Sequence, residues 1–496
     1  MNRRTFIHSA GATGLGLTGG LGVADADLHL RPLLGLLEDS ARENLPRELV
    51  QRIRAGLGYE ELLAALSLAT VRNVQPYPDV GFKYHSLMVL RAINAATQQL
   101  PSGDKWLPII WAADYFKSAQ AQERTSSGWH LPLRGAIPVA KASVARRALI
   151  AALDSWDRDA ADAAIVNYAH AAPLDEIFPL LFLYGARDLR EIGHKAIAVA
   201  NVHSLLALSN PAGSEAILRS TVAALQNADA GPNPASSDLQ ADRPWRRNRR
   251  RLHQIQPGWK QGRNDPAARA ELRTALYQVS QEDAGAVVVT MLRQSMSPGA
   301  IWQVLFDTAA ELIVMKPNIL SLHAQTTANA LHYAYSACGD EQTQQLMLLQ
   351  CAAFIAMFRE LVGARGSDFN LEALQPVELH RLGPLGFDEL YADMSAGQRV
   401  QAAGKALSYL QNGGDTEVFI AQARHQCVYY ADEVHDYKFA EAVFESCARF
   451  SDAAWRNRFL SAGTVHFKIP EQHPRTVDPG DPGIAAVLSG LAPAPI

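Results

Sequence analysis

The stretch Ala431–Glu445 reads ADEVHDYKFAEAVFE, and it sets a histidine and a lysine on one amphipathic helix. His435 and Lys438 are three residues apart, so they share a face. That face continues through Ala442 toward the core. Imidazole is a directional metal ligand that is largely neutral near pH 7. A lysine held on an apolar face loses hydration, and its pKa falls. The neutral amine can then combine with carbon dioxide to give a carbamate, a carboxylate on a long arm that can ligate a metal. The chemistry of the pair is therefore metal binding. Its structural alternative is a lysine that snorkels to water or pairs with an acid such as Asp432.

Three further histidines stand at or near the starts of helical segments: His85 in KYHSLMVLRAIN, His194 in EIGHKAIAVAN and His323 in SLHAQTTANAL. Four imidazoles from four helices can enclose one metal inside a helical bundle, a nitrogen-rich site suited to iron, copper, zinc or nickel. His203 and His332 each follow one of these histidines by nine residues, about half a helical revolution away, and are expected in outer positions. Asp432, Glu433 and Glu191 are candidates to orient imidazoles by hydrogen bonds. Tyr84, Tyr437 and Trp111 are candidate pocket walls or core.

The elements that must position these residues are helices. YEELLAALSLATVRNV, HSLMVLRAINAATQQL, WLPIIWAADYFKSAQAQ, DAADAAIVNYAHAA and TQQLMLLQCAAFIAMFREL place apolar residues at i, i+3 and i+4. Only AGAVVVTML could pass for a strand, and one strand makes no sheet. The expected fold is an all-α helical bundle. The step from His85 to His194 is 109 residues and that from His323 to His435 is 112, so the halves match at offsets of 238 and 241. An internal duplication would give such offsets, with the metal site between the halves. The expected organisation is an export signal at 1–26, an N-terminal helical half at 27–226, an Arg/Pro/Gly-rich loop at 227–268, a C-terminal helical half at 269–469 and a Pro-rich tail at 470–496. The loop carries Arg243, Arg246, Arg247, Arg249, Arg250 and Arg251 beside Trp245, which reads as ion-paired or solvated before it reads as an anion patch.

The first residues, MNRRTFIHSAGATGLGLTGGLGVADA, resemble a twin-arginine export signal, with Arg3-Arg4, Phe6 and an Ala24-Asp25-Ala26 cleavage site. The expected location is the periplasm or the exterior, reached in folded form through the twin-arginine machinery. A net charge of −4 over 496 residues argues against nucleic acid as the main partner. No apolar run reaches the roughly 18 residues that span a bilayer, so no stable membrane anchor is expected. Cys338, Cys351, Cys427 and Cys447 form no C-x-x-C. Isolated buried thiols are expected, although an oxidising compartment would permit disulfides.

ADEVHDYKFAEAVFE resembles the acidic-x-His-x-x-Lys signature of the questin oxidase-like family. YHSLMVL, GHKAIAVANVH and LHAQTTANAL resemble that family's other histidine segments. The resemblance implies a non-haem iron oxygenase that opens anthraquinone-type rings with dioxygen. It also implies iron held by His85, His194, His323, His435 and a carboxylated Lys438. The export signal and Arg-rich segment depart from the better-known members. Two other classes fit an exported helical chain. One is an α/α-toroid polysaccharide lyase or hydrolase, which would need a Tyr/His or carboxylate pair. The other is a non-catalytic periplasmic binding protein.

Overall fold

The computed structural model describes residues 23–470, apart from 78–82, 99, 101–102, 135–139, 209–213, 228–230 and 381–383. Residues 1–22 and the tail from 471 lie outside the described residues, and with them most of the expected export signal. The first helix begins at Val23, so the expected cut after Ala26 falls in its first turn. Among the described residues there are helices and no strand, as the periodicity predicts.

Among the described residues, ten α-helices make the first half. They are α1 (Val23–Asp39), α2 (Leu45–Arg54), α3 (Tyr59–Asn73), α4 (His85–Thr97), α5 (Trp106–Ser126), α6 (Ala142–Ser155), α7 (Arg158–Ala171), α8 (Leu174–Gly185), α9 (His194–Leu208) and α10 (Ser214–Leu225). A short helix, α11 (Arg243–Arg251), follows. Ten more make the second half: α12 (Pro266–Leu276), α13 (Ala284–Arg293), α14 (Pro298–Met315), α15 (Ile319–Ala337), α16 (Glu341–Val362), α17 (Pro384–Ser395), α18 (Arg399–Gln411), α19 (Thr416–Tyr430), α20 (Val434–Ala448) and α21 (Ala453–Gly463). The candidate strand AGAVVVTML is α13.

Local signals explain many of these boundaries. Ser297 caps α14 through the Ala300 N–H, and Pro298 sits at its first position, where a missing N–H costs nothing. Asn318 and Ser321 form a reciprocal capping box that starts α15. Asp340 caps α16, and Gly363 ends it in the left-handed region.

The packing repeats. Helix α3 touches α4, α5 and α10, and α14 touches α15, α16 and α21. Helices α6 and α7 pair, as do α17 and α18; α7 packs on α10, as α18 packs on α21. Helix α9 lies between α4, α8 and α10, and α20 lies between α15, α19 and α21. Across the halves, α4 meets α20 and α9 meets α15. Every helix from α1 to α10 thus has a counterpart eleven places on, and α11 is the element without one. The centre is a ring of four helices, α4, α9, α15 and α20, with two adjacent members from each half.

Two expectations need correction. The segment 227–268 is not a long loop throughout, because its arginines build α11. Arg243 and Arg246 bind Asp238, Arg247 binds Glu282 and Asp283, and Arg251 reaches Asp283. The cluster is therefore largely neutralised, and only Arg249 and Arg250 of the six are exposed. Helix α16 is also long and apolar enough to cross a membrane, with a window of mean hydropathy 1.5. About two thirds of that window (67%) is buried inside the protein, against α13, α14 and α15, as a core helix would be. All four cysteines are free and buried.

Candidate metal centre

The four ring helices each deliver one histidine from their first two turns. His85 opens α4, His194 opens α9, His435 is the second residue of α20 and His323 is the fifth of α15. Their candidate ligand atoms all lie within 4.8 Å of one another. The rings form a closed square. Centroids are 5.1 Å apart for His85–His194, 4.6 Å for His194–His323, 5.1 Å for His323–His435 and 4.6 Å for His435–His85. The sequence-predicted histidines are thus brought together, two from each half, and the cluster could bind a metal ion.

Hydrogen bonds fix which nitrogen faces inward. His194 Nδ1 donates to the Glu191 carbonyl at 2.6 Å, and His323 Nδ1 donates to the Ile319 carbonyl at 2.7 Å. A carbonyl only accepts, so both Nδ1 atoms carry the proton and both Nε2 atoms present lone pairs. His435 Nδ1 faces the Glu433 carboxylate at 3.3 Å, and its Nε2 is buried without a hydrogen-bond partner among the described residues. The inward Nε2 atoms are close, at 3.0 Å for His85–His194 and 3.1 Å for His194–His323. For His194 and His323 these are two facing lone pairs, which repel unless a cation lies between them.

Protonation is a poor source of that cation. Burial, reinforced by the Lys438 charge, pushes His85 well below the ordinary imidazole value and holds His194 at about 3, the latter against the Glu191 carbonyl bond. Burial also lowers His323, helped by His194 and Lys438. It lowers His435 too, although the Glu433 bond opposes this. Neutral imidazoles are the metal-binding form. Three of the rings are buried and His435 keeps 13% side-chain exposure, so the solvent edge of the site is on the α20 side.

Lys438 stands one turn beyond His435 and is 5% exposed. Its Nζ is buried with no hydrogen-bond partner among the described residues. Desolvation brings its pKa down to about 7. The Asp432 partner imagined for it binds Lys468 instead, at 2.9 Å.

The turn before His194 was not singled out from sequence. Glu191, Ile192 and Gly193 take φ of 54°, 47° and 84° in succession. Two non-glycine residues in the left-handed region are unusual and cost energy. The surroundings hold them there. Asn227 binds the Glu191 carboxylate, Thr327 Oγ1 of α15 donates to the Ile192 carbonyl at 3.3 Å, and Lys195 pairs with buried Asp188 at 3.0 Å. A Cβ at Gly193 would lie 2.2 Å from Thr327 Oγ1. The glycine before the histidine in EIGHK was the available signal.

Other expectations are corrected here. Glu191 orients His194 through its backbone carbonyl and not its carboxylate, and among the described residues Asp432 binds Lys468 and orients no imidazole. Glu433 does, as expected. His203 bonds Tyr333 at 2.8 Å between Phe178 and Phe182, and His332 lies among Trp302, Phe306, Tyr335 and Phe450. Both are outside the cluster. Tyr84, Trp111 and Tyr437 are core, with Trp111 between Tyr437 and Tyr115. No family model, curated protein or solved structure matches the chain.

Proposed function

We propose that this chain is an exported non-haem iron-dependent oxygenase acting with dioxygen on an aromatic, quinone-like or phenolic substrate. The reading rests on one observation above others: the Nε2 lone pairs of His194 and His323 point at each other inside a ring of neutral imidazoles. His85, His194, His323 and His435 would hold the iron, with Lys438 completing the set as its carbamate. A nitrogen-rich set of this kind suits iron, and iron is the member of that group that passes electrons to dioxygen.

Bound iron would relay electrons from the substrate, which is oxidised, to dioxygen. The chain's own contribution is order. Carbonyls fix the rings of His194 and His323, Glu433 steadies His435, and the buried interior excludes water. Lys438 Nζ, with its pKa near 7, has a large neutral fraction at neutral pH. Its attack on carbon dioxide forms an N–C bond and releases one proton, which exchanges a repelling cation for an oxygen ligand.

Metal analysis of protein purified through its export route tests the proposal. About one iron per chain is expected, and stoichiometric zinc or no metal would overturn it. Export is tested by Arg3→Lys with Arg4→Lys, which should hold the protein in the cytoplasm. An unchanged exported yield would reject that part.

A further inference from the structure

A cavity of about 360 Å³ opens between α12, α14 and α21, away from the histidines. Arg269, Asp307, Glu372, Asp452, Trp455 and Arg458 line it. Most of these groups are already engaged. Arg269 binds Asp307 at 3.1 Å and Glu372 at 2.9 Å. Trp455 donates its indole N–H to Asp307 at 2.6 Å, and Asp452 caps α21 through the Trp455 N–H. Arg458 is different. Its Nε is buried with no hydrogen-bond partner among the described residues.

The duplication shows what is missing. Arg458 of α21 corresponds to Arg219 of α10, at an offset of 239, between the offsets of the two histidine pairs. Arg219 grips the Asp162 carboxylate on α7 with two bonds, of 2.7 and 3.0 Å. The counterpart of α7 is α18, and its sequence, RVQAAGKALSYLQ, contains no acid. Where the second half has Asp307 and Trp455, the first has Ala69 and Ala216. The fold therefore does not require the polar cavity, and it leaves there an arginine whose Nε lacks a partner among the described residues and whose repeat-related twin holds a carboxylate.

We propose that this cavity binds a small organic acid, whose carboxylate takes on Arg458 the place that Asp162 takes on Arg219. A guanidinium reads a carboxylate through two parallel bonds. The cavity's own acids do not oppose this strongly. Asp307 and Glu372 share Arg269, burial raises the Asp307 carboxyl despite that arginine, and Asp452 is engaged in capping α21. The volume admits a molecule with an apolar body beside Trp455.

Titration calorimetry on the full chain tests this, with benzoate as the probe and benzamide as its uncharged isostere. Benzoate should bind at millimolar concentration, and benzamide about tenfold more weakly or not at all. Arg458→Gln should lose about tenfold in benzoate affinity while keeping its metal content. Arg458→Lys, which keeps the charge without the fork, should fall between and guards against misfolding of the first variant. Absence of benzoate binding to wild type, equal binding of benzamide, or unchanged affinity in both variants would overturn the proposal.

Discussion

Helices α9 and α20 occupy equivalent places in the two halves, and each opens with a histidine that enters the central square. One turn on they diverge. Ile197 of α9 is a buried aliphatic side chain, whereas its counterpart on α20 is the buried Lys438. The same contrast recurs at α10 and α21, where one arginine has an internal carboxylate and the other faces a cavity. The packing of helices has been kept, and polar groups have been redistributed over it. Groups present in both halves build the scaffold and the histidine square. Groups present in one half carry whatever the two halves do differently.

The largest effect should come from the shared feature. His194→Ala and His323→Ala each remove a member of the facing lone-pair couple, one from each half. Each should lose most of the bound metal while the helical circular dichroism is retained. Metal content that survives intact in both variants would break the symmetric reading of the site and turn attention to His203 and His332.

Next comes the contact that ties the halves together. Glu445 of α20 binds Arg91 of α4 across the boundary, and also Arg449. Burial would raise its carboxyl, but the two arginines prevail and hold it at about 2, against an ordinary 4.5. The folded value is the lower one, so this stabilisation is complete above about pH 4.5 and is lost as pH falls toward 2. The full loss is about 3 kcal/mol. Glu445→Gln should cost a similar amount at pH 7 and flatten the acid side of the stability profile. A variant with the wild-type acid slope would show that another group loosens the halves.

Gly193→Ala should cost about 2–3 kcal/mol, from a left-handed φ and from crowding of Thr327. The crowding presses α9 off α15, so metal affinity should fall with stability. Adding Thr327→Ala makes room for the methyl group and should restore part of both. No recovery in the double variant would place the whole cost in the backbone.

Much of this architecture was legible in the residues. Helical periodicity is a local signal, and it located the helices that carry all four histidines. The matching offsets of those histidines recorded the duplication, because repeats keep their spacing when side chains drift. The Arg-rich segment misled because clustered Gly, Pro and Asn around it read as loop, while the arginines themselves form good helix once Asp238, Glu282 and Asp283 neutralise them. The turn at Glu191–Gly193 was hidden for a different reason. Left-handed backbone at a glutamate and an isoleucine is imposed by Asn227, Thr327 and neighbouring helices that no local window contains. The roles of Asp432 and Glu191 were misassigned because proximity in sequence does not reveal which acceptor an imidazole finds.

The smallest effect, and the one that sharpens the contrast between α9 and α20 most, concerns Lys438 against Ile197. An ammonium beside a divalent ion repels it. If Lys438 stayed charged, Lys438→Ala would therefore raise metal affinity. If the amine is carbamylated, the same change removes an oxygen ligand, and affinity should fall about tenfold, or ~1.4 kcal/mol. The sign of the change thus separates the two states before any activity is measured. Ile197→Ala, made at the equivalent place in the other half, removes packing only, so affinity per folded chain should stay at the wild-type level. Depleting carbon dioxide should weaken metal binding in wild type and in Ile197→Ala, and bicarbonate should restore it. Lys438→Ala should ignore both treatments. A Lys438→Ala protein that binds metal more tightly than wild type would leave the four histidines as the whole ligand set.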